Sequence, residues 1–242
     1  MVSIIAAFQF LTIFPALIKR AFTANEMGRS VGWFPLVGLV LGLLLYAVNH
    51  VAREIFPGTV PSALTLLAWV AFTRAFHLDG FMDACDGLFG GFTPERRLEI
   101  MKDSRVGAFC AAGGALILLT QFAALASSLN PWPAIVLAAV MGRWASPLVI
   151  YSFPYAREDG LGIDMKRNVG RWEILIATGI AGLTSWIIGG WLGLAQMLGA
   201  GLVGFAVALY AMRLLRGLTG DIYGAVTTLV ETAVLLFFTV SF

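Results

Sequence analysis

Charge is scarce in this sequence. Asp, Glu, Lys and Arg make up 12% of its 242 residues, about half the ~25% usual in soluble domains. Histidines and cysteines number two each. Cys85 and Cys110 form no metal-type spacing, and Cys85 reads as a small helix-packing residue. There is no Gly-rich phosphate loop, CxxC pair or soluble cofactor fingerprint. Met1–Ile18 lacks a basic leader and a small-residue cleavage site, so it does not read as a removable signal peptide. The net charge of +2 says little; where the charges sit says more.

What the chain does have is long apolar runs. Hydrophobic residues reach 59% and mean hydropathy is +0.86, the composition of an integral membrane protein. The expected fold is all-α, a polytopic transmembrane helical bundle forming a single domain over 1–242. About seven spans are expected: Val31–His50, Val60–Phe76, Gly107–Leu129, Trp132–Phe153, Trp172–Gly190, Leu194–Leu215 and Ile222–Phe242. Ser3–Ile18, interrupted by Gln9 and Pro15, predicts a short interfacial or re-entrant helix. Thr93-Pro94-Glu95 starts a cytoplasmic surface helix over Glu95–Asp103, with Thr93 as its cap. Gly38 and Gly42 are spaced to let a neighbouring helix approach closely.

Alternating these spans puts every Lys and Arg except Arg53 on one face. His77 lies there too, with every acid except Glu54, counting Glu231 by its helix. The positive-inside rule makes that face cytoplasmic and the C-terminus extracytoplasmic, as in a cell inner (cytoplasmic) membrane. Transporters usually carry polar groups at both mouths, or inverted repeats; this chain has little but turns on its outer face. It is expected to work on cytoplasmic material.

The chemistry concentrates in His77-Leu-Asp-Gly-Phe-Met-Asp-Ala-Cys-Asp-Gly87. Asp79, Asp83 and Asp86, at i, i+4 and i+7, fall within an arc of about 60° on a helix. Like charges so placed destabilise a helix, whereas a hard cation or clustered Arg and Lys reverses the sign. Mg²⁺ takes such oxygen ligands together with substrate phosphates. His77 is a candidate general base or ligand. Arg105, Arg96, Arg97 and Lys102 are cations able to hold phosphate oxygens, Arg in bidentate fashion; anchoring to anionic lipid is the better account of Arg96 and Arg97 but not of Arg105. Arg143 is a charge inside an apolar span and needs a partner, either a phosphate or the acidic cluster. Arg157 lies in a loop between an aromatic residue and glycines. Asp221 suits the start of the last span, where a carboxylate meets the helix dipole. Glu231, about 15 Å deeper, must be paired, protonated or in a wet cavity.

In order along the chain stand His77–Gly87, Met101-Lys-Asp-Ser-Arg-Val-Gly107, Tyr155-Ala-Arg-Glu-Asp-Gly-Leu-Gly162 and Thr219-Gly-Asp221, with Phe34-Pro-Leu-Val-Gly38 near the start. Together they resemble the cobalamin synthase family, the adenosylcobinamide-GDP ribazoletransferases, nearly end to end. One departure is Thr228, where the family pattern has Glu; Glu231 is then the only deep carboxylate. The resemblance implies a Mg²⁺-dependent membrane phosphotransferase in late cobalamin assembly. Its partners would be adenosylcobinamide-GDP, α-ribazole or α-ribazole 5′-phosphate, and membrane lipid. A ribazole hydroxyl would attack the inner phosphorus and GMP would leave. Asp79, Asp83, Asp86 and Glu231 are then the expected metal set, with His77 or one of the three Asp residues taking the proton. Lys102, Asp103, Arg105, Arg143, Arg157 and Asp221 form the expected phosphate-binding set. No nucleic-acid partner is expected, and nothing in the sequence decides whether the chain forms a homo-oligomer. Two other readings use the same acids. A CDP-alcohol phosphotransferase would need Asp-Gly-x-x-Ala-Arg, which is missing, and a cation transporter would need polar residues on the outer face.

Overall fold

A computed structural model describes residues 1–240; the end of the expected last span, 241–242, lies outside the described residues. The described chain is helical: α1 Val2–Leu11, α2 Ala24–Ser30, a 3₁₀ turn Val31–Trp33, α3 Phe34–Ile55, α4 Val60–Phe72, α5 Phe76–Gly90, α6 Pro94–Ile100, α7 Ala108–Ser127, α8 Pro131–Ser152, α9 Leu161–Asn168, α10 Arg171–Leu215 and α11 Gly220–Phe237. Five helical segments are long and apolar enough to cross a membrane. One of these, α10, is bent back on itself at Gly190, and α4 is a shorter apolar helix that falls below that length, where the sequence predicts a full span. The chain is a polytopic helical membrane protein.

The bundle is organised around α8, which packs on α3, α10 and α11. Helices drawn together in lipid need small residues at the crossing, and the α3–α8 contact is built that way. A Cβ on Gly38 would come within 2.4 Å of the Ala139 carbonyl, and one on Gly42 within 2.8 Å of the Val136 Cα. Arg143 and Trp144 lie on the buried stretch of α8.

Where the sequence predicts a second span through Phe76, the helix ends at Phe72. Arg74 and Ala75 both adopt positive φ, 54° and 55°, and a new helix starts at Phe76. At 13 residues, α4 covers only about 20 Å, and the acidic stretch that follows forms its own helix, α5. In the region read as a charged connection from Leu78 to Arg105, α5 and α6 are therefore both helical. Thr93 caps α6 as expected, its Oγ1 accepting from Arg96 N at 3.2 Å.

Within α10 the break is Gly190, at φ 54° and ψ −135°, a conformation open to glycine and strained for other residues. Its two arms, 171–189 and 191–215, turn back on each other: a Cβ on Gly193 would overlap the Ser185 carbonyl. That matches the two spans read from the sequence.

Helix α1 has ten residues, about 15 Å, too short to cross. The chain after it is folded by one side chain: Gln9 donates to the Ile18 carbonyl at 3.0 Å and accepts from Ile18 N at 2.8 Å. Two helices were hidden by their charge. One is α2, held by a capping box between Thr23 and Glu26; the other is α9, inside the second charged connection.

Candidate active site

The site forms where α5 meets the start of α11. Both helices place glycine at the contact. A Cβ on Gly80 would lie 3.1 Å from the Asp221 carbonyl, and one on Gly224 would lie 3.0 Å from the His77 carbonyl. This near-contact of backbones sets Asp79 and Asp83 beside Asp221. Thr219 Oγ1 accepts from Ile222 N at 3.3 Å, capping α11, so Asp221 stands at the positive end of the helix dipole.

Asp221 is held by Arg157, whose Nη2 donates to Oδ2 at 2.8 Å. What brings Arg157 there is a pair of backbone bonds between two loops. Ala156 N donates to the Leu218 carbonyl, and Leu218 N donates to the Pro154 carbonyl, each at 2.8 Å. Burial first, then the charges of Asp79, Asp221 and Asp86, push the Asp83 carboxyl up to about 6, with Arg157 pulling the other way. A carboxylate so crowded by others is ready for a cation.

Asp86 does not complete a ligand triad with Asp79 and Asp83. Its two oxygens accept from Gly107 N at 2.7 Å and Cys110 N at 2.8 Å, so it caps α7 from the neighbouring helix. The close fit leaves no room for a side chain at 107, since a Cβ there would sit 2.6 Å from the carboxylate. Among the described residues, no three His, Cys, Asp or Glu side chains are gathered as a ready-made metal cage. The acids that face one another, Asp79, Asp83 and Asp221, suit a cation that relies on one or two carboxylates plus substrate phosphates, as Mg²⁺ does.

Glu231 also departs from the expected metal set. It forms a buried ion pair with Arg143, which also donates to the Ala139 carbonyl at 3.0 Å and lies 3.5 Å from His77 Nδ1. The partner that Arg143 requires is thus Glu231, 88 residues away, rather than the acids of α5. Desolvation, and then the charge of Arg143, hold the His77 imidazole well below its ordinary value and so neutral.

Arg105 and Asp103 leave the expected phosphate set as well. They close on each other at the surface through a forked pair of hydrogen bonds. That pairing holds the Asp103 carboxyl down at about 2. The third member of that motif, Lys102, does reach the site.

Beside the acids lies a cavity of about 390 Å³, lined by Lys102, Arg143 and Arg157 among its cations and by His77, Tyr155, Tyr223, Ser146 and Thr227 among its neutral polar groups. Among the described residues, Nε of Arg143, Nε of Arg157 and the hydroxyl of Tyr223 are buried without a partner. All three belong to residues lining this cavity. Unpaired buried donors are costly, and an anionic ligand relieves the cost. A second, shallower groove, lined by Leu98, Glu99, Ala156 and Glu158, shares Lys102, Arg157 and Asp159 with the first. Sequence reasoning missed Tyr223, Ser146 and Thr227. They sit in apolar helices with no local signal, whereas Tyr155 opens a motif that is visible in the sequence.

Comparison with known proteins gives the family. Residues 3–239 match the family described as cobalamin-5-phosphate synthase. Among curated proteins, the adenosylcobinamide-GDP ribazoletransferase of Syntrophobacter fumaroxidans is 42% identical, covering 95% of this chain and 94% of its own. Proteins of the same name from Pseudomonas fluorescens and a Roseiflexus species are 38% and 36% identical, covering 95% and 97% of this chain and 96% and 88% of theirs. No solved structure matches. By sequence along nearly its whole length, the chain belongs to the cobalamin-5-phosphate synthase family.

Proposed function

We propose that this protein joins adenosylcobinamide-GDP to α-ribazole or α-ribazole 5′-phosphate at the cytoplasmic face of the membrane, in the late assembly of the cobalamin nucleotide loop. A ribazole hydroxyl oxygen forms a bond to the phosphorus that carries the corrinoid arm. The bond from that phosphorus to the GMP portion breaks, GMP leaves, and the hydroxyl proton is released. Phosphoryl transfer needs mainly positioning and charge neutralisation. Lys102, Arg157 and Arg143 supply fixed positive charge around the cavity. One or two of the carboxylates of Asp79, Asp83 and Asp221 would hold Mg²⁺, which when bound neutralises diphosphate charge. His77, neutral and buried, or Asp83, with its raised carboxyl value, would accept the hydroxyl proton.

The observation that carries this reading is the double engagement of Arg157. It pairs with Asp221 of the acidic group and also lines the cationic cavity, which puts metal-type and phosphate-type groups within one side chain of each other. The test is a transferase assay on purified protein in lipid with both substrates, with and without Mg²⁺. Cobamide formation coupled to GMP release, and lost on chelation, is the expected result. Absence of product in active lipid with fresh substrate would overturn the reading.

A further inference from the structure

The cavity and the groove differ in what they can hold, although they share a cationic rim. The inner cavity has a carbon wall made by Phe10, Leu11, Phe34, Phe76, Ile150 and Met165. Three of these form one aromatic group: the Phe10 ring stacks on Phe34 at 6.2 Å and meets Phe76 edge-on at 4.8 Å. Near the same cavity, Tyr155 and Tyr223 lie 6.0 Å apart. The outer groove has no aromatic residue in its lining: Leu98, Ala156, Glu99 and Glu158 line it together with the shared Lys102, Arg157 and Asp159.

We infer that the inner cavity is the acceptor site and takes a flat, weakly polar bicyclic nucleoside base, while the guanine of the donor stays in the outer groove. The inference rests on the proposed transfer reaction and names which substrate goes where. In-line displacement puts the attacking oxygen and the leaving group on opposite sides of the phosphorus. A phosphorus held at the Lys102–Arg157 rim therefore has one substrate inward and the other outward. Guanine presents N–H and carbonyl groups along its edge, and seated against the phenylalanine, leucine, isoleucine and methionine side of the cavity these go unpaired, while the cavity's polar groups, Ser146, Thr227 and Tyr223, suit the hydroxyls of a ribose. A methylated benzimidazole, the base of a ribazole, has no N–H donor and offers carbon and a π face, which aromatic side chains meet well. Size agrees: about 390 Å³ suits a nucleoside and is too small for a corrin ring with its amide arms. On this reading α1, too short to cross the bilayer, supplies part of the acceptor wall through Phe10 and Leu11.

The test is equilibrium binding of α-ribazole and, separately, of GDP to purified protein in lipid, for the wild type, Leu161→Trp and Phe76→Ala. Leu161 lines the cavity and is 53% exposed, so a larger ring there fills the space without disturbing the core. Phe76 is 40% exposed and provides a second variant should the first fail to fold. Both variants should weaken α-ribazole binding about tenfold or more, ~1.4 kcal/mol, with GDP binding changed less than about twofold. Three outcomes would overturn the assignment: GDP binding lost while α-ribazole binding is kept, equal loss of both ligands, or no α-ribazole binding by the wild type. Turnover is measured in parallel. Failure of the wild type to form product counts against the transfer reaction, whereas the two binding curves judge the assignment of sites.

Discussion

At the scale of single residues, the acids of α5 have separate roles although they share one helix. Asp83 sits in the crowded carboxylate group, so Asp83→Asn should lower turnover by about a hundredfold or more while the protein remains folded in lipid. A circular dichroism melt beside the assay checks both halves. Asp86 caps α7, so Asp86→Ala should cost about 0.5–2 kcal/mol of stability and lower the thermal midpoint. Solution pH separates the two further. The Asp83 carboxyl, raised in the fold, favours its protonated form, so its contribution to stability fades as pH rises from ordinary carboxylate values through about 6. A bound cation requires the ionised form. Mg²⁺ should therefore raise the thermal midpoint at pH 7.5 and have little effect at pH 5, and an equal shift at both would argue against Asp83 as a ligand. The Arg143–Glu231 pair gives a third case. Removing one partner leaves a buried charge and should cost about 3–5 kcal/mol, whereas replacing both with apolar residues recovers much of that. Glu231→Leu, Arg143→Met and the double variant, compared by thermal midpoint, test this. These roles were half legible in sequence. The spacing of Asp79 and Asp83 announced a charged helix face, and the depth of Arg143 and Glu231 announced that each needed a partner. The capping role of Asp86 was not legible, because its partners lie 21 and 24 residues downstream and only the packing of α5 on α7 brings them near.

At the scale of helices, hydropathy located the spans because lipid leaves few ways to satisfy a backbone. It did not locate the break before α5. Thr73-Arg-Ala-Phe76 contains neither glycine nor proline, and the left-handed turn there falls on Arg74 and Ala75. Charge concealed α2 and α9 for a related reason, since polar helices resemble loops when only hydropathy is read. Gly80 and Gly224 show the mechanical side of the same scale. Each already approaches the opposite backbone to about van der Waals contact, so Gly224→Ala must push α5 and α11 apart by tenths of an ångström. Misplacement of groups that must be aligned slows the reaction far more than it destabilises the fold. Turnover should fall about tenfold or more, with a small change in thermal midpoint. An unchanged rate would mean that the α5–α11 spacing does not tune the site.

For the whole molecule, the proposed orientation has the cavity open to the cytoplasm, and this can be tested directly. Leu129, between α7 and α8, is 98% exposed, and Leu161 at the cavity is 53% exposed, while both native cysteines are buried. A membrane-impermeant thiol reagent applied to intact cells should label Leu129→Cys and spare Leu161→Cys, with the pattern reversed in inverted vesicles. The same label on both sides would overturn the orientation.

The Gly80–Gly224 contact also bears on how the protein is made. Asp79 and Asp83 are translated long before Asp221, and Arg157 is positioned only when the loop before α11 is in place. A nascent chain lacking its final helix carries the acids of α5 and Arg157 without the Asp221 carboxylate that Arg157 pairs with. If these residues carry the proposed reaction, interrupted synthesis should yield an inert fragment, and catalytic competence should arrive in one late step of biogenesis.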